Sequence, residues 1–166
     1  MFPIPCVVSD TSPLISLEKI TGGFSFARKL YKKIIIPNEV GKELGKGLNL
    51  TPELYLQHHS ISDFVEIQNC TVNIALLGIT HRKIHQGEAE AITLAHSLTL
   101  PLLIDEDRGT KVAELNGLQT LILISHLVKS YRLGIQEKQE LIEKLDDLFI
   151  AKRLQESIYK ALRISL

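Results

Sequence analysis

The chain has 166 residues, 45% of them hydrophobic and 23% charged, which is the makeup of one globular domain with a real core. Its 19 Lys and Arg balance 19 Asp and Glu, so overall charge gives no long-range pull toward nucleic acid or an anionic membrane, and any such contact must be local. Two cysteines, Cys6 and Cys70, make no disulfide framework or zinc spacing, the uncharged run Leu118 to Val128 falls short of the roughly 18–20 residues of a membrane span, and MFPIPCVV lacks signal-peptide features. A soluble cytoplasmic protein with reduced core thiols is expected.

Cys6, Val7 and Val8 read as a short buried strand that stops at Ser9-Asp10. Ser12-Pro13 is a helix-start signal, with the hydroxyl as N-cap and proline at the first helical position. Asp10 is then left at a strand's carboxyl end without a capping duty, where open α/β folds place ligand chemistry. The alternative is that Asp10 itself caps the helix or makes an Asx-turn. Leu14, Ile15, Leu17 and Ile20 outline a short helix broken by Gly22-Gly23, and a second helix is expected over Ser25 to Lys32. Ile34 to Ile36, closed by Pro37, is a β-branched run typical of a strand buried on both faces in a parallel sheet. The next helix carries Glu39 and Glu43 on one face and Val40 and Leu44 on its buried neighbour.

Gly45 to Ser60 reads as a loop with at most one helical turn, Asp63 to Gln68 as an edge strand, and Val72 to Leu77 fits strand and helix alike. Gln86 to Leu98 is a helix rich in alanine and leucine. Its apolar face, through Ile92 and Ala95, extends back onto Glu88, whereas Glu90, rotated by about 200°, is expected to face water. A helix-dipole acid explains a carboxylate near position 88 but not its alignment with the core stripe. Leu100 to Ile104 is another strand, ending at Asp105-Glu106-Asp107. A helix from Gly109 to Asn116, a strand from Leu118 to Leu123 and a helix ending at Arg132 follow. From Gln136 to Leu166 the pattern is helical throughout. Leu141, Leu145, Leu148 and Phe149 form one stripe, continued by Ile150, Leu154, Ile158 and Leu162, for packing on the domain or on a partner chain. Residues 1–166 are thus expected to form a single domain with 135–166 as a helical C-terminal extension.

Strands alternating with helices imply right-handed βαβ units whose strand ends line one edge of a parallel sheet. Asp10 and the Asp105-Glu106 pair should meet there, with Glu43 and Glu88 leaning over from their helices. Four carboxylates within about 4–6 Å would repel and raise each other's pKa, a conflict that a divalent cation removes. Oxygen ligands favour Mg²⁺ or Mn²⁺, which activate water and stabilise charge on a phosphodiester. Acids gathered at solvated strand ends are the plainer account of any one of these residues. His81-Arg82-Lys83-Ile84-His85 before the Glu88 helix, and Arg108 and Lys111 after the last acids, suit a phosphate backbone, though solvated basic faces are common. The histidines read as surface residues. Five Phe, four Tyr and no Trp offer few platforms for stacking bases.

VVSDTSPLISL, IIIPNEVGKEL, GEAEAITLA and LPLLIDEDRG, in that order, resemble the successive motifs of PIN-domain proteins, particularly the subgroup close to the VapC-type ribonuclease toxins. The resemblance covers Val7 to Leu133. It implies a three-layer α/β/α fold with a central parallel sheet and Mg²⁺- or Mn²⁺-dependent endoribonuclease activity on RNA. Homodimers and, in toxin members, a cognate antitoxin are implied as well. Carried over by motif, the acids fall on Asp10, Glu43, Glu88 and Asp105 or Glu106, the count from LPLL favouring Glu106, and Ser12 matches the small hydroxyl residue after the first acid. Asp10, Glu88, Asp105 and Glu106 are the implied metal ligands, and Ser12, Arg82, Lys83 and Arg108 the expected substrate contacts. Two departures stand out: Glu106 replaces the second Asp of an Asp-Asp pair, and Leu121-Ile122 stands where a Gly-Thr pair is expected. The rival reading is a catalytically degenerate PIN-fold module acting in protein or RNA binding. A receiver-like or nucleotide-binding domain is disfavoured by the missing glycine-rich phosphate loop.

Overall fold

The computed structural model describes residues 2–78 and 83–166. Five short strands, β1 (Val7–Ser9), β2 (Ile34–Pro37), β3 (Val65–Gln68), β4 (Leu102–Leu103) and β5 (Thr120–Leu121), form one sheet in the order β3-β2-β1-β4-β5, every pairing parallel. The helices are α1 (Thr11–Lys19), α2 (Gly23–Leu30), α3 (Asn38–Lys46), α4 (Pro52–His58), α5 (Ile74–Leu77), α6 (Gln86–Leu98), α7 (Asp107–Leu115), α8 (Leu123–Arg132), α9 (Lys138–Ile150) and α10 (Glu156–Ser165).

Successive strand side chains face opposite ways, so each apolar run feeds two cores. Val7, Ile34, Ile36 and Leu103 join one core with residues of α1, α2, α3, α8 and α9. Val8, Ile35, Leu102 and Ile104 join the other with α6 and α7. This is the three-layer α/β architecture that the uninterrupted runs VVS and III imply, because only a strand covered on both sides lacks a polar face. Leu141, Leu145 and Leu148 of α9 are fully buried in the first core. Each such leucine contributes about 1.5–3 kcal/mol relative to an exposed side chain.

Several local expectations are corrected. α1 begins at Thr11, two residues before the proline, so Asp10 and not Ser12 occupies the N-cap position, without a side-chain cap hydrogen bond. Pro13 stands third in the helix, where its missing N–H still falls among the donors that have no intrahelical partner. The presumed loop Gly45 to Ser60 contains α4, started by the Thr51 hydroxyl, which accepts from the Leu54 N–H at 3.3 Å, with Pro52 at the first position. Residues Val72 to Leu77 resolve into the single turn α5, where the Leu76 N–H donates to Asn73 Oδ1.

The helical tail is interrupted. α9 ends with Lys152 at φ 58°, the Lys152 N–H on Phe149 O (3.0 Å) and the Arg153 N–H on Leu148 O (2.8 Å), a Schellman closure that turns the chain before α10. Leu154 is buried as expected, but Ile150 and Ile158 are exposed and α10 buries no residue fully. Among the described residues no helix is long and apolar enough to cross a membrane.

Candidate metal-binding and active site

The strand order reverses direction between β1 and β4, the switch point where parallel α/β sheets hold ligands beyond their carboxyl ends. The ladder runs past β1, the Asp10 N–H donating to Leu103 O at 3.0 Å, so Asp10 is fixed by its backbone at this edge. The adjacent strand, β4, delivers Asp105 and Glu106 to the same edge, because parallel neighbours end on the same side.

α6 brings Glu88. Its position in the first turn lets Oε2 accept the His85 N–H at 2.7 Å, the N3-to-N-cap half of a capping box. Glu88 is only 6% exposed and lies on the buried side of α6, as its alignment with Ile92 predicts. Glu90 does not face water: it is 8% exposed. Its Oε2 accepts the Glu39 N–H at the start of α3 and its Oε1 the Gln86 amide, because α3 covers the side of α6 that an isolated amphipathic helix would leave wet. Glu43, on α3, is half-buried and accepts the Thr11 hydroxyl through Oε2.

Asp10, Glu43, Glu88 and Glu106 border one open cavity of about 280 Å³, together with Thr11, Ser12, Ile15, His85 and Arg153. Asp10 is 3% exposed. Burial, opposed by the Thr11 and Ser12 N–H groups and reinforced by the negative charges of Glu88 and Glu43, pushes its carboxyl up to about 7. Glycines make room for the acids: an ideal Cβ at Gly87 would lie 2.8 Å from Glu43 Oε1, and one at Gly109 2.7 Å from Glu88 Oε1.

Asp105 and Glu106 part company. Asp105 Oδ1 accepts the Leu123 N–H at the start of α8 (3.1 Å), and burial raises its pKa against the nearby charge of Arg153. The backbone amide just past Leu121-Ile122 is thus occupied by this carboxylate. Glu106 is exposed and borders the cavity with Asp10. An adjoining cavity of about 480 Å³ joins Lys83, His85, Glu88, Asp105, Glu106, Asp107 and Arg108, so Lys83 and Arg108 flank the acids. Lys83, Arg108 and Lys111 also line a larger cavity of about 820 Å³ beside it. Arg82, with His81, lies outside the described residues.

The donor set around Asp10 is rich in carboxylate oxygen, without cysteine, and includes a buried acid held against two like charges. That chemistry fits a hard divalent cation. Among the described residues, no three His, Cys, Asp or Glu side chains are already drawn together as a metal-ligand cluster; the carboxylates border the cavity without closing on its centre.

Two residues at the site carried no sequence signal as site residues. Thr11 stands beside Asp10 in the first motif and could have been found by asking what hydroxyl serves Glu43. Arg153, which bonds Ser12 from 141 residues away, had no local pattern to reveal it.

A central parallel sheet between helical layers, with acids gathered at its switch point, defines an α/β protein of the PIN class. The chain belongs to that family: the family model described as DUF3368, PIN domain, matches residues 6–164. PIN domains are generally nucleases that use divalent metals. Among solved structures, the chain is similar to a PilT N-terminus domain protein, SSO1118, from the hyperthermophilic archaeon Sulfolobus solfataricus P2. The TM-score is 0.51 at 18% identity, covering 75% of this chain and 92% of that one, a likeness of fold. No curated protein sequence matches the chain.

Proposed function

We propose that this protein is a metal-dependent endoribonuclease that hydrolyses RNA phosphodiester bonds, and that it acts in the cytoplasm as the toxin of a toxin-antitoxin pair. The observation that carries the nuclease reading is the cavity shared by Asp10, Glu43, Glu88 and Glu106, with Lys83 and Arg108 beside it. The toxin reading, with its homodimer and antitoxin, rests on the likeness of the four motifs to VapC-type proteins.

Asp10, Glu88, Asp105 and Glu106 would hold Mg²⁺ or Mn²⁺, which when bound lowers the pKa of water and offsets charge on the phosphate. Glu43, whose Oε2 accepts the Thr11 hydroxyl, would take the proton that water loses. Hydrolysis forms a P–O bond to the water oxygen and breaks one to a ribose oxygen, which leaves with a proton as a hydroxyl while the other fragment keeps a phosphomonoester. Lys83, Arg108 and, in the same role, Arg82 neutralise flanking phosphates, and Ser12 lies at the rim of the cavity. Asp105, whose Oδ1 accepts the Leu123 N–H, would join this set through its other oxygen.

The test is cleavage of several single-stranded RNAs by purified protein with Mn²⁺. Asp10→Asn should abolish it while leaving the melting temperature unchanged or higher, since it removes a buried charge. Equal cleavage by the variant and the wild type would reject the assignment. Tight partner or RNA binding without turnover by the wild type would favour a degenerate PIN-fold module.

A further inference from the structure

The turn between α9 and α10 inserts a guanidinium at the acidic cavity. The Schellman closure of α9 fixes the backbone of Arg153, and buried Leu154 anchors the residue after it. From there Arg153 reaches across to α1: Nη2 donates to Ser12 O at 3.0 Å and to Ser12 Oγ, and Nε donates to Ser16 Oγ at 3.2 Å. All its acceptors are uncharged. Among the described residues Arg153 makes no direct ion pair; its charge is near enough to Asp105 to oppose the rise of that carboxyl's pKa, and it borders the same cavity as Asp10, Glu43, Glu88 and Glu106. Its Nη1 has no hydrogen-bond partner among them.

A tie between α1 and the α9–α10 turn needs only donors, which a neutral side chain would supply; a guanidinium adds a fixed charge beside Asp105 and at the open cavity. An arginine held by two bonded nitrogens, with a third nitrogen open, is suited to a phosphate: its planar fork matches paired phosphate oxygens and little further rotamer freedom is lost on binding. Arg153 borders the cavity of Asp10, and Lys83 and Arg108 border the adjoining one, with Glu88 and Glu106 common to both. A sugar-phosphate backbone running through the two cavities would therefore meet Arg153 in one and Lys83 and Arg108 in the other.

We propose that Arg153, supplied by the chain's own C-terminal segment, grips the scissile phosphate of the RNA and stabilises the charge that builds on its non-bridging oxygens. This inference rests on the ribonuclease reading and adds a catalytic residue to it.

Two measurements on the full chain test it. The first is binding of a labelled short single-stranded RNA in EDTA, where no metal-dependent turnover occurs, over a range of salt. The second is cleavage with Mn²⁺. Arg153→Gln should weaken binding about tenfold, lower the salt slope by about 0.7, the share of one phosphate contact in a single strand, and slow cleavage about 100-fold or more. Arg153→Lys should keep the salt slope while losing most of the cleavage rate, because charge survives and the fork does not. Wild-type protein that neither binds nor cuts RNA would sink the ribonuclease reading itself. Wild-type cleavage with an unchanged salt slope in Arg153→Gln would overturn the assignment of Arg153 alone, leaving it a structural tie whether or not melting falls.

Discussion

The Oε1 atom of Glu88 occupies space that a methyl group on residue 109 would need, 2.7 Å from an ideal Cβ there. The same Cβ would lie 2.5 Å from Ile104 Cδ1. A Cβ at residue 109 would meet no backbone, only the tips of the Glu88 and Ile104 side chains, so glycine there is what leaves the Glu88 carboxylate its place beside the end of β4. Gly109→Ala should therefore change stability by less than about 1 kcal/mol, since the two displaced tips offset the helix propensity gained. It should also displace the Glu88 carboxylate and weaken Mn²⁺ binding about tenfold or more in titration calorimetry. Gly47→Ala, where a Cβ meets nothing within 4 Å, should be neutral or slightly stabilising and leave Mn²⁺ affinity alone. Wild-type Mn²⁺ affinity in Gly109→Ala would remove Glu88 from the ligand set.

Glu88 and Glu90 are both buried, but they are tied to different things. Glu90 joins the start of α3 to α6 through the Glu39 N–H, so Glu90→Ala leaves that donor without its partner. The expected loss is about 1–3 kcal/mol in chemical denaturation. Since Glu90 is absent from the residues bordering the acidic cavity, Mn²⁺ affinity should stay within twofold of wild type. Glu88→Gln should do the reverse, sparing stability and losing the metal. A drop in metal affinity in Glu90→Ala without any loss of stability would contradict this division.

On α8, His126 shares a 2.7 Å hydrogen bond with the fully buried Tyr31 hydroxyl. Burial first, then the charge of Lys129, pushes the imidazole down to about 4. The unfolded chain, with a histidine near 6.5, binds the proton more readily, so this neutral histidine contributes its full stability above about 6.5. That contribution is lost as pH falls from there toward 4, up to about 3 kcal/mol. Thermal melts from pH 7.5 to 4.5 should show a steeper decline for wild type than for His126→Gln. Parallel curves would mean that His126 does not carry the acid sensitivity.

The neutral chain, 19 acids against 19 bases, makes the location of charge more informative than its amount. VVS and III could be read as strands covered on both faces because a buried strand leaves its mark in every consecutive residue. Glu88 could be placed on the inner side of α6 because 3.6-residue periodicity is local. Glu90 could not, for its burial depends on α3 arriving from 51 residues earlier in the chain. The start of α1 departs from its strongest local signal for a related reason: Ser12-Pro13 is a valid start signal, yet the sheet edge holds the Asp10 backbone and lets the helix begin at once.

What the order of residues determined by itself was a set of elements and their exposed or covered faces, since propensity, capping and periodicity act over a few residues. From these came the parallel sheet, the edge at which Asp10 and the Asp105-Glu106 pair emerge, and the pattern resembling PIN domains. Tertiary structure alone decided that Asp105 Oδ1 turns to the Leu123 N–H while Glu106 borders the cavity, and that Arg153 stands among groups from the start of the chain. Both outcomes depend on how helices pack across the finished sheet, and packing joins residues whose separation along the chain carries no periodic signal.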